Sequence, residues 1–502
     1  MKKLIKILFV GGGLAIGASS CEKKLELYPY STVELSQSFT TLNDAKAWDN
    51  VMFSSLRGRL YGLYMFSQDV QGDQLNATID YGNRNGSPHR WGSSFLADDY
   101  TIRDTWQGYY SMMKNVNAGI AGYPKIATTT PADKALLDRY MGNALATRAY
   151  VYLELILRFA KPYEPATAAT DLGVPLVLTY SPTDQPARAT VQQVYAQILA
   201  DINAAKPLLA TVPGTQGATR FTTHSIRALE ARVKLYMKDW AGAKAAADEV
   251  IATGTYPLYN TAAGLLSMWR DDATRETIQQ IFVSKPNELA NTNAIYLGLV
   301  PATGKFTPDF VPSQWVVDKY ATTDLRKLVY FEQKLTTFQG VDYPNIWLVN
   351  KYPGNPALFT AATTNYQHAP KMFRVAELYL ISAEAGAMLG GAAEADALAK
   401  LNTLRVARGL TALVGLTGTA LQNEVREERF RELAFEGFRL WDLKRWHLGF
   451  TRTAPQNLNI IQVGPNFNTL SIPADDAKFV WAVPTNDITT NPSLAGQQNP
   501  GW

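Results

Sequence analysis

Cys21 is the one cysteine in 502 residues, and its setting gives its thiol a specific chemistry. Lys2, Lys3 and Lys6 precede an apolar run from Ile7 to Ile16, and Gly17-Ala18-Ser19-Ser20 stands immediately before the cysteine. Charge, a short apolar stretch and a small-residue cleavage site, in that order, describe a secretory signal. A cysteine at the cut can carry a diacylglycerol on its sulfur. The expectation is therefore a signal peptide over residues 1–20, removed by cleavage, and a lipid anchor on Cys21, although Ala18 stands where lipoprotein signals usually place leucine. The apolar run is too short to span a bilayer core of about 30 Å as a mature helix. With Cys21 lipidated, no thiol remains for a disulfide, a zinc site or a nucleophile.

Other reactive groups do not assemble into a catalytic pattern. There is no Gly-x-Ser-x-Gly elbow and no His-Glu-x-x-His helix. His89, His224, His368 and His447 are scattered and read as surface or packing residues. Gly298 to Lys305 is one residue too long for a phosphate loop, and Phe306 stands where magnesium needs a Ser or Thr. In the calcium-loop-like stretch Asp80 to Gly86, Gly82 and Arg84 occupy positions that require oxygen ligands. No cofactor and no metal are expected, and the chain does not read as an enzyme. Between 424 and 445, Glu427–Arg431, Glu436–Arg439 and Asp442–Arg445 lie three or four apart, interleaved with Phe430, Leu433, Phe435, Phe438, Trp441 and Leu443. Such spacing describes a packed helix pair with ion pairs along its flank.

The elements that must position any site are mostly helices. Over 131–161, Leu136, Leu137, Tyr140, Met141, Ala144, Leu145, Ala149, Tyr152, Leu153 and Ile156 recur at helical spacing, with Pro131 in the first turn and Pro162 at the end. A second helix runs from about Thr190 to Leu209. Residues 223–238 and 240–253 read as a helical hairpin joined at Lys238-Asp239, with alanines that allow close approach; a similar pair, 372–389 and 393–408, is split by Gly390-Gly391. Hairpins of this kind resemble tetratricopeptide units, which stack and form concave surfaces. Residues 68–103 and 255–370 are irregular, the latter with short β-like runs at Ile278 to Val283 and Ile346 to Tyr352, and so is the tail from Pro455. Long irregular segments of this kind are often functional.

Composition narrows the partners. Hydrophobic residues make up 46% and charged residues 18%, as in an ordinary globular protein. Without Lys2, Lys3 and Lys6 the 48 basic residues fall to 45 against 44 acidic ones, so the mature chain is nearly neutral. That excludes an electrostatic footprint for nucleic acid and a polybasic lipid-binding segment.

Seven pieces in order resemble the SusD/RagB family of surface nutrient-binding lipoproteins, over nearly the whole chain. They are Trp106 to Asn117 (WQGYYSMMKNVN); Asn143 followed by ALATRAYVYLELILRFAKPY; Gly173 to Val177; Pro186-Ala-Arg188 through Tyr195; Phe373 to Leu380 with Ala383-Glu384; Glu428-Arg429 to Leu443; and the ending Trp481 to Pro484 with Asn499 to Trp502. The resemblance implies a mostly α fold: one α-helical domain over 21–502 with tetratricopeptide-like helix pairs and a loop-rich ligand-binding face. Within it, 21–254 is an N-terminal helical part, 255–370 an irregular insert and 371–502 the C-terminal SusD-like part. It implies a non-enzymatic protein lipid-anchored on the outer membrane at the cell surface, which captures oligosaccharides and hands them to a SusC-like TonB-dependent transporter. Some branches of the family capture peptides instead, and that alternative stays open; a tetratricopeptide scaffold in the periplasm is a third reading.

For an oligosaccharide, an exposed aromatic ring supplies a flat apolar partner to the C–H face of a pyranose, and Asn or Arg side chains read its hydroxyls. The local constellation with this make-up is Tyr81, Asn83, Arg84, Asn85, Arg90 and Trp91, in an irregular stretch. The family draws a second aromatic from the later non-helical region; by order this is Tyr296, with Trp315 behind it, although Trp315, Val316, Lys319 and Tyr320 also read as a helix. Trp106, Trp240, Trp269, Trp441 and Trp481 belong to framework segments.

Overall fold

Thr130 starts the longest of the described helices. Its hydroxyl accepts from the Asp133 amide at 3.1 Å, and Pro131 fills the first turn, where no amide partner is needed. The helix Pro131–Phe159 then runs through the centre of the protein. The computed structural model describes residues 38–502 apart from 182, 291 and 293, so Cys21 and the expected signal segment lie outside the described residues. From Tyr140 to Phe159 almost every side chain is buried, because Leu42–Arg57, Tyr100–Gly122 and Val191–Leu208 pack around the helix. The last of these begins with a reciprocal cap between Thr190 and Gln193.

Two helical hairpins extend this stack. Thr223–Tyr236 and Trp240–Ala252 are joined by Lys238, at a left-handed φ of 59°, and by Asp239, whose carboxylate accepts from the Gly242 amide at 2.9 Å. Ala243, Ala246 and Ala247 are buried at the crossing, as close approach requires. Val375–Leu389 and Ala393–Ala407 are joined through Gly390 and Gly391, at φ 72° and 56°. Val375–Leu389 also packs against Trp240–Ala252 and Gly418–Leu433. The fold is mostly α with tetratricopeptide-like pairs. The short β-like runs form Thr277–Gln280, paired with Lys371–Arg374, and Val341–Val349, paired with Phe331–Phe338. The latter two belong to a four-stranded sheet with Leu299–Val300 and Lys305–Phe306, so the phosphate-loop-like stretch is a β-hairpin.

The charged cluster at 424–445 is packed as its spacing suggests, but its ions pair in the interior and mostly with remote partners. Arg326, Arg408, Glu276, Glu428 and Glu432 are fully buried. Glu432 accepts from Arg408 and Arg374, each at 2.9 Å, and from Arg326 at 3.2 Å, while Arg408 also binds Glu276 at 2.9 Å. Burial alone would raise the Glu432 carboxyl, but Arg408, Arg374 and Arg326 outweigh it and hold it well below the usual carboxylate range. Of the spacing-based pairs only Asp442–Arg445 forms; Glu427 binds Lys319, Glu436 binds Arg374 and Lys351, and Arg439 binds Asp73. These partners are remote in sequence: Lys319 and Lys351 come from the irregular segment 255–370, and Asp73 from the irregular stretch 68–103.

Candidate ligand-binding face

The loop between Ala77 and Trp91 is pinned from behind. Arg452, from the C-terminal region, donates to the carbonyls of Gly72 and His89, each at 2.8 Å. His89 is fully buried; Nδ1 donates to the Val70 carbonyl at 2.9 Å, which leaves Nε2 to accept from Arg452 at 3.1 Å. Burial and the neighbouring Arg452 push this imidazole well below its ordinary value, so it is neutral. Lone-arginine spacing offers no signal for Arg452, which sequence reasoning missed.

On this base the chain presents polar groups to solvent. Asn83 and Arg84 are exposed. Arg84 pairs with Asp309, whose carboxyl burial raises to about 6 even against the pull of Arg84. Arg90 donates to the Tyr81 hydroxyl at 2.8 Å and also to the Asn83 side-chain oxygen. A Cβ at Gly86 would lie 2.1 Å from the Asn83 Oδ1 and 2.7 Å from the Arg90 guanidinium, so a side chain there would push these two groups aside. Asn83, Asn85 and Trp91 all hold left-handed backbone, at φ 58°, 53° and 57°. Such conformations are rare outside glycine, least tolerated by bulky residues, and concentrated at functional sites. Tyr81, Asn83, Arg84, Asn85 and Arg90 are thus brought together, although the Tyr81 ring itself is only 7% exposed and packs edgewise against Phe310 and Phe467.

The other aromatics expected here are turned inward. Trp91 is 6% exposed, its Nε1 donates to the Gln71 carbonyl at 2.6 Å, and Phe450 and Phe479 close on its ring. Tyr296 is fully buried, donates to Asp69 at 3.2 Å and stacks near Tyr352. Trp315 lies in the short helix Gln314–Asp318, half-buried against Phe430 at 5.3 Å. None of the three offers an open ring beside Arg84. Tyr100 is the exposed aromatic that joins this loop: it is 39% exposed, and its hydroxyl donates to the Asn85 Oδ1 at 3.0 Å while accepting from the Asn85 amide at 2.6 Å. It is the first residue of Tyr100–Gly122, and Asp99, whose carboxylate accepts from the Thr101 amide, marks that start in the sequence. That cap was the available signal.

The framework tryptophans are where the sequence placed them, with Trp269 and Trp481 fully buried. Among the described residues no cluster of His, Cys, Asp or Glu has the make-up of a metal site, and no helix is long and apolar enough to cross a membrane.

The model described as "SusD family" matches residues 318–502, and one described as "Starch-binding associating with outer membrane" matches residues 37–235. The chain is similar to SusD-like protein P38 of Formosa agariphila, with 24% identity covering 88% of this chain and 90% of the relative. Its fold is similar to that of a SusD superfamily protein from Bacteroides thetaiotaomicron, with TM-score 0.78, 23% identity, and coverage of 92% of this chain and all of the other. It is also similar to that of a laminarin-binding SusD-like protein, with TM-score 0.68, 19% identity and the same coverage.

Proposed function

The chain belongs to the SusD family, and from that premise we propose that it is a lipid-anchored, cell-surface glycan-binding protein. It captures oligosaccharides without turning them over and delivers them to a SusC-like TonB-dependent transporter in the outer membrane. The observation that carries the glycan reading is the loop face itself. Asn83, Arg84 and Arg90 present hydrogen-bonding groups on a loop whose backbone is left-handed at Asn83, Asn85 and Trp91, with the exposed Tyr100 bonded to Asn85. A pyranose stacked on Tyr100 places its hydroxyls toward Arg84 and Asn83. Similarity to a laminarin-binding protein supports the ligand class.

Calorimetry of the purified protein against neutral oligosaccharides, with Tyr100→Phe and Tyr100→Ala, tests this. Loss of a stacked ring costs on the order of 1–2 kcal/mol, so Tyr100→Ala weakens binding about tenfold while Tyr100→Phe, which keeps the ring, changes little. Equal affinity of Tyr100→Ala and wild type would remove this face from the function. Binding of peptides in place of every glycan would replace the ligand class.

A further inference from the structure

A cavity lined by none of the loop-face residues lies elsewhere on the protein. It has a volume of about 440 Å³, within the roughly 300–1,000 Å³ of small-ligand sites, and sits between Leu42–Arg57, the early turns of Pro131–Phe159 and the segment after Thr277–Gln280. Four cationic side chains, Lys46, Arg57, Arg139 and Arg220, line it against two carboxylates, Asp49 and Glu288. The cations are not equivalent. Arg220 is committed: it binds Asp49 at 2.7 Å and Asn50 at 2.8 Å, and its guanidinium lies 4.1 Å from the centre of the Phe53 ring. Arg57 is held by the Phe282 carbonyl at 2.9 Å and the Ser54 hydroxyl at 3.0 Å. Lys46 and Arg139 have no ion pair or hydrogen bond among the described residues.

Two further features give the cavity a ligand's shape. Asn143, fully buried in its wall, donates to Asp49 at 2.8 Å but leaves its Oδ1 without a partner. A buried polar atom left so costs about 1–3 kcal/mol. Phe282 and Leu136, 48% and 37% exposed, present apolar surface at the same cavity. An exposed apolar ring beside unpaired cations matches a sugar ring bearing an anionic substituent.

The geometry points to a second, anion-selective saccharide subsite here, for a unit carrying a carboxylate or a sulfate ester. Arg139 and Lys46 bind the anion, and Phe282 contacts the apolar face of the ring. This rests on the glycan-binding reading of the protein but uses none of the residues at the loop face.

The test measures binding of the purified protein to oligogalacturonate, to a sulfated galactan oligosaccharide and to neutral oligosaccharides, with Arg139→Gln and the double variant Arg139→Gln/Lys46→Gln. A charge-assisted contact removed from a solvent-facing pocket predicts about tenfold weaker binding of the anionic ligand by Arg139→Gln and a shallower salt dependence. Neutral ligands at the loop face are unaffected. Preference between the two anionic probes identifies the substituent. Equal binding of the anionic ligand by wild type and double variant overturns the subsite, as does binding of neither anionic probe by wild type. Arg139-dependent binding of an acidic peptide alone also overturns it. If neutral oligosaccharides still bind in a Tyr100-dependent way, the proposed function survives that failure; if no saccharide binds at all, both fall.

Discussion

Trp91 and Tyr100 stand nine residues apart, and their type alone does not say which one faces solvent. Trp91 is enclosed by Gln71, Phe450 and Phe479, which reach it from both ends of the chain, so its burial is a property of tertiary packing that local sequence does not encode. Tyr100 is exposed because it opens a helix. The loop's polar members were legible, since Asn, Arg and Gly in an aperiodic stretch cannot form a packed element; which aromatic they serve was not. The two rings predict opposite responses. Trp91→Ala removes a core aromatic and lowers stability by about 3–5 kcal/mol in urea denaturation, whereas Tyr100→Ala, which gives up a part-exposed ring and its hydrogen bonds to Asn85, costs about 1–2 kcal/mol. Similar losses for both would return Trp91 to the surface. Asp309 gives a second check. Burial raises its carboxyl to about 6 from 3.8 while Arg84 opposes that rise, so carboxyl NMR of labelled protein shows a midpoint near 6, and Arg84→Gln moves it upward. A midpoint below 4 with Arg84 intact would mean that the carboxylate is solvated and the pair does not order the face.

At the scale of elements, helices were read closely because caps and periodicity are local. Thr130 with Pro131, Thr190 with Gln193 and the Gly390-Gly391 break each act within a few residues of themselves. The β-segments and ion pairs were read less well, because their partners are remote. Spacing placed Glu436 with Arg439, yet Glu436 meets Arg374 and Lys351. The motifs that carried the family resemblance turn out to be structural. Arg148 is bidentate to Asp201, Glu377 to Arg232, and Arg188 holds Asn499 and the Phe159 carbonyl, fastening the C-terminal residues to the central helix. They report the fold, and so cannot report the ligand. The second hairpin offers a clean measurement. A Cβ at Gly390 or Gly391 would meet nothing within 4 Å, so substitution by alanine is resisted by left-handed backbone alone. Each Gly→Ala change is expected to cost about 1–2 kcal/mol in chemical denaturation, with no change in glycan binding. A neutral effect at both would show that this turn relaxes into another conformation.

Over the whole molecule, a nearly neutral formal charge conceals an interior crowded with ions, and this sets how stability depends on pH. Burial raises the Glu384 carboxyl, but Arg445 and its hydrogen bonds overcome that and hold it at about 2, against 4.5 for an ordinary glutamate. Glu428, Glu432 and Glu436 are also lowered, each by buried arginines that outweigh desolvation. A folded-state value below the unfolded one means that the unfolded chain binds more protons in that interval, so stability is fully present above about 4.5 and is lost as pH falls toward 2. Buried lysines act in the same direction at the alkaline end. Burial lowers Lys444 to about 7 and Lys351 to about 8 from 10.5, so their contribution improves as pH rises through that window. Asp69, raised by burial to about 8, opposes the lysines until it has lost its proton, so the urea midpoint should fall steeply below pH 4.5 and rise only above about pH 8. Replacing Arg445 by methionine removes the cation that keeps Glu384 ionised; burial then raises that carboxyl. The variant loses about 3–5 kcal/mol at neutral pH, as expected when one partner of a buried pair is removed, and is less steep in acid. Parallel acid limbs for variant and wild type would instead locate the acid sensitivity outside this pair. The charges then act as a tether between helices and loops: the ions that fix the irregular middle segments to the C-terminal helices also make the fold acid-sensitive.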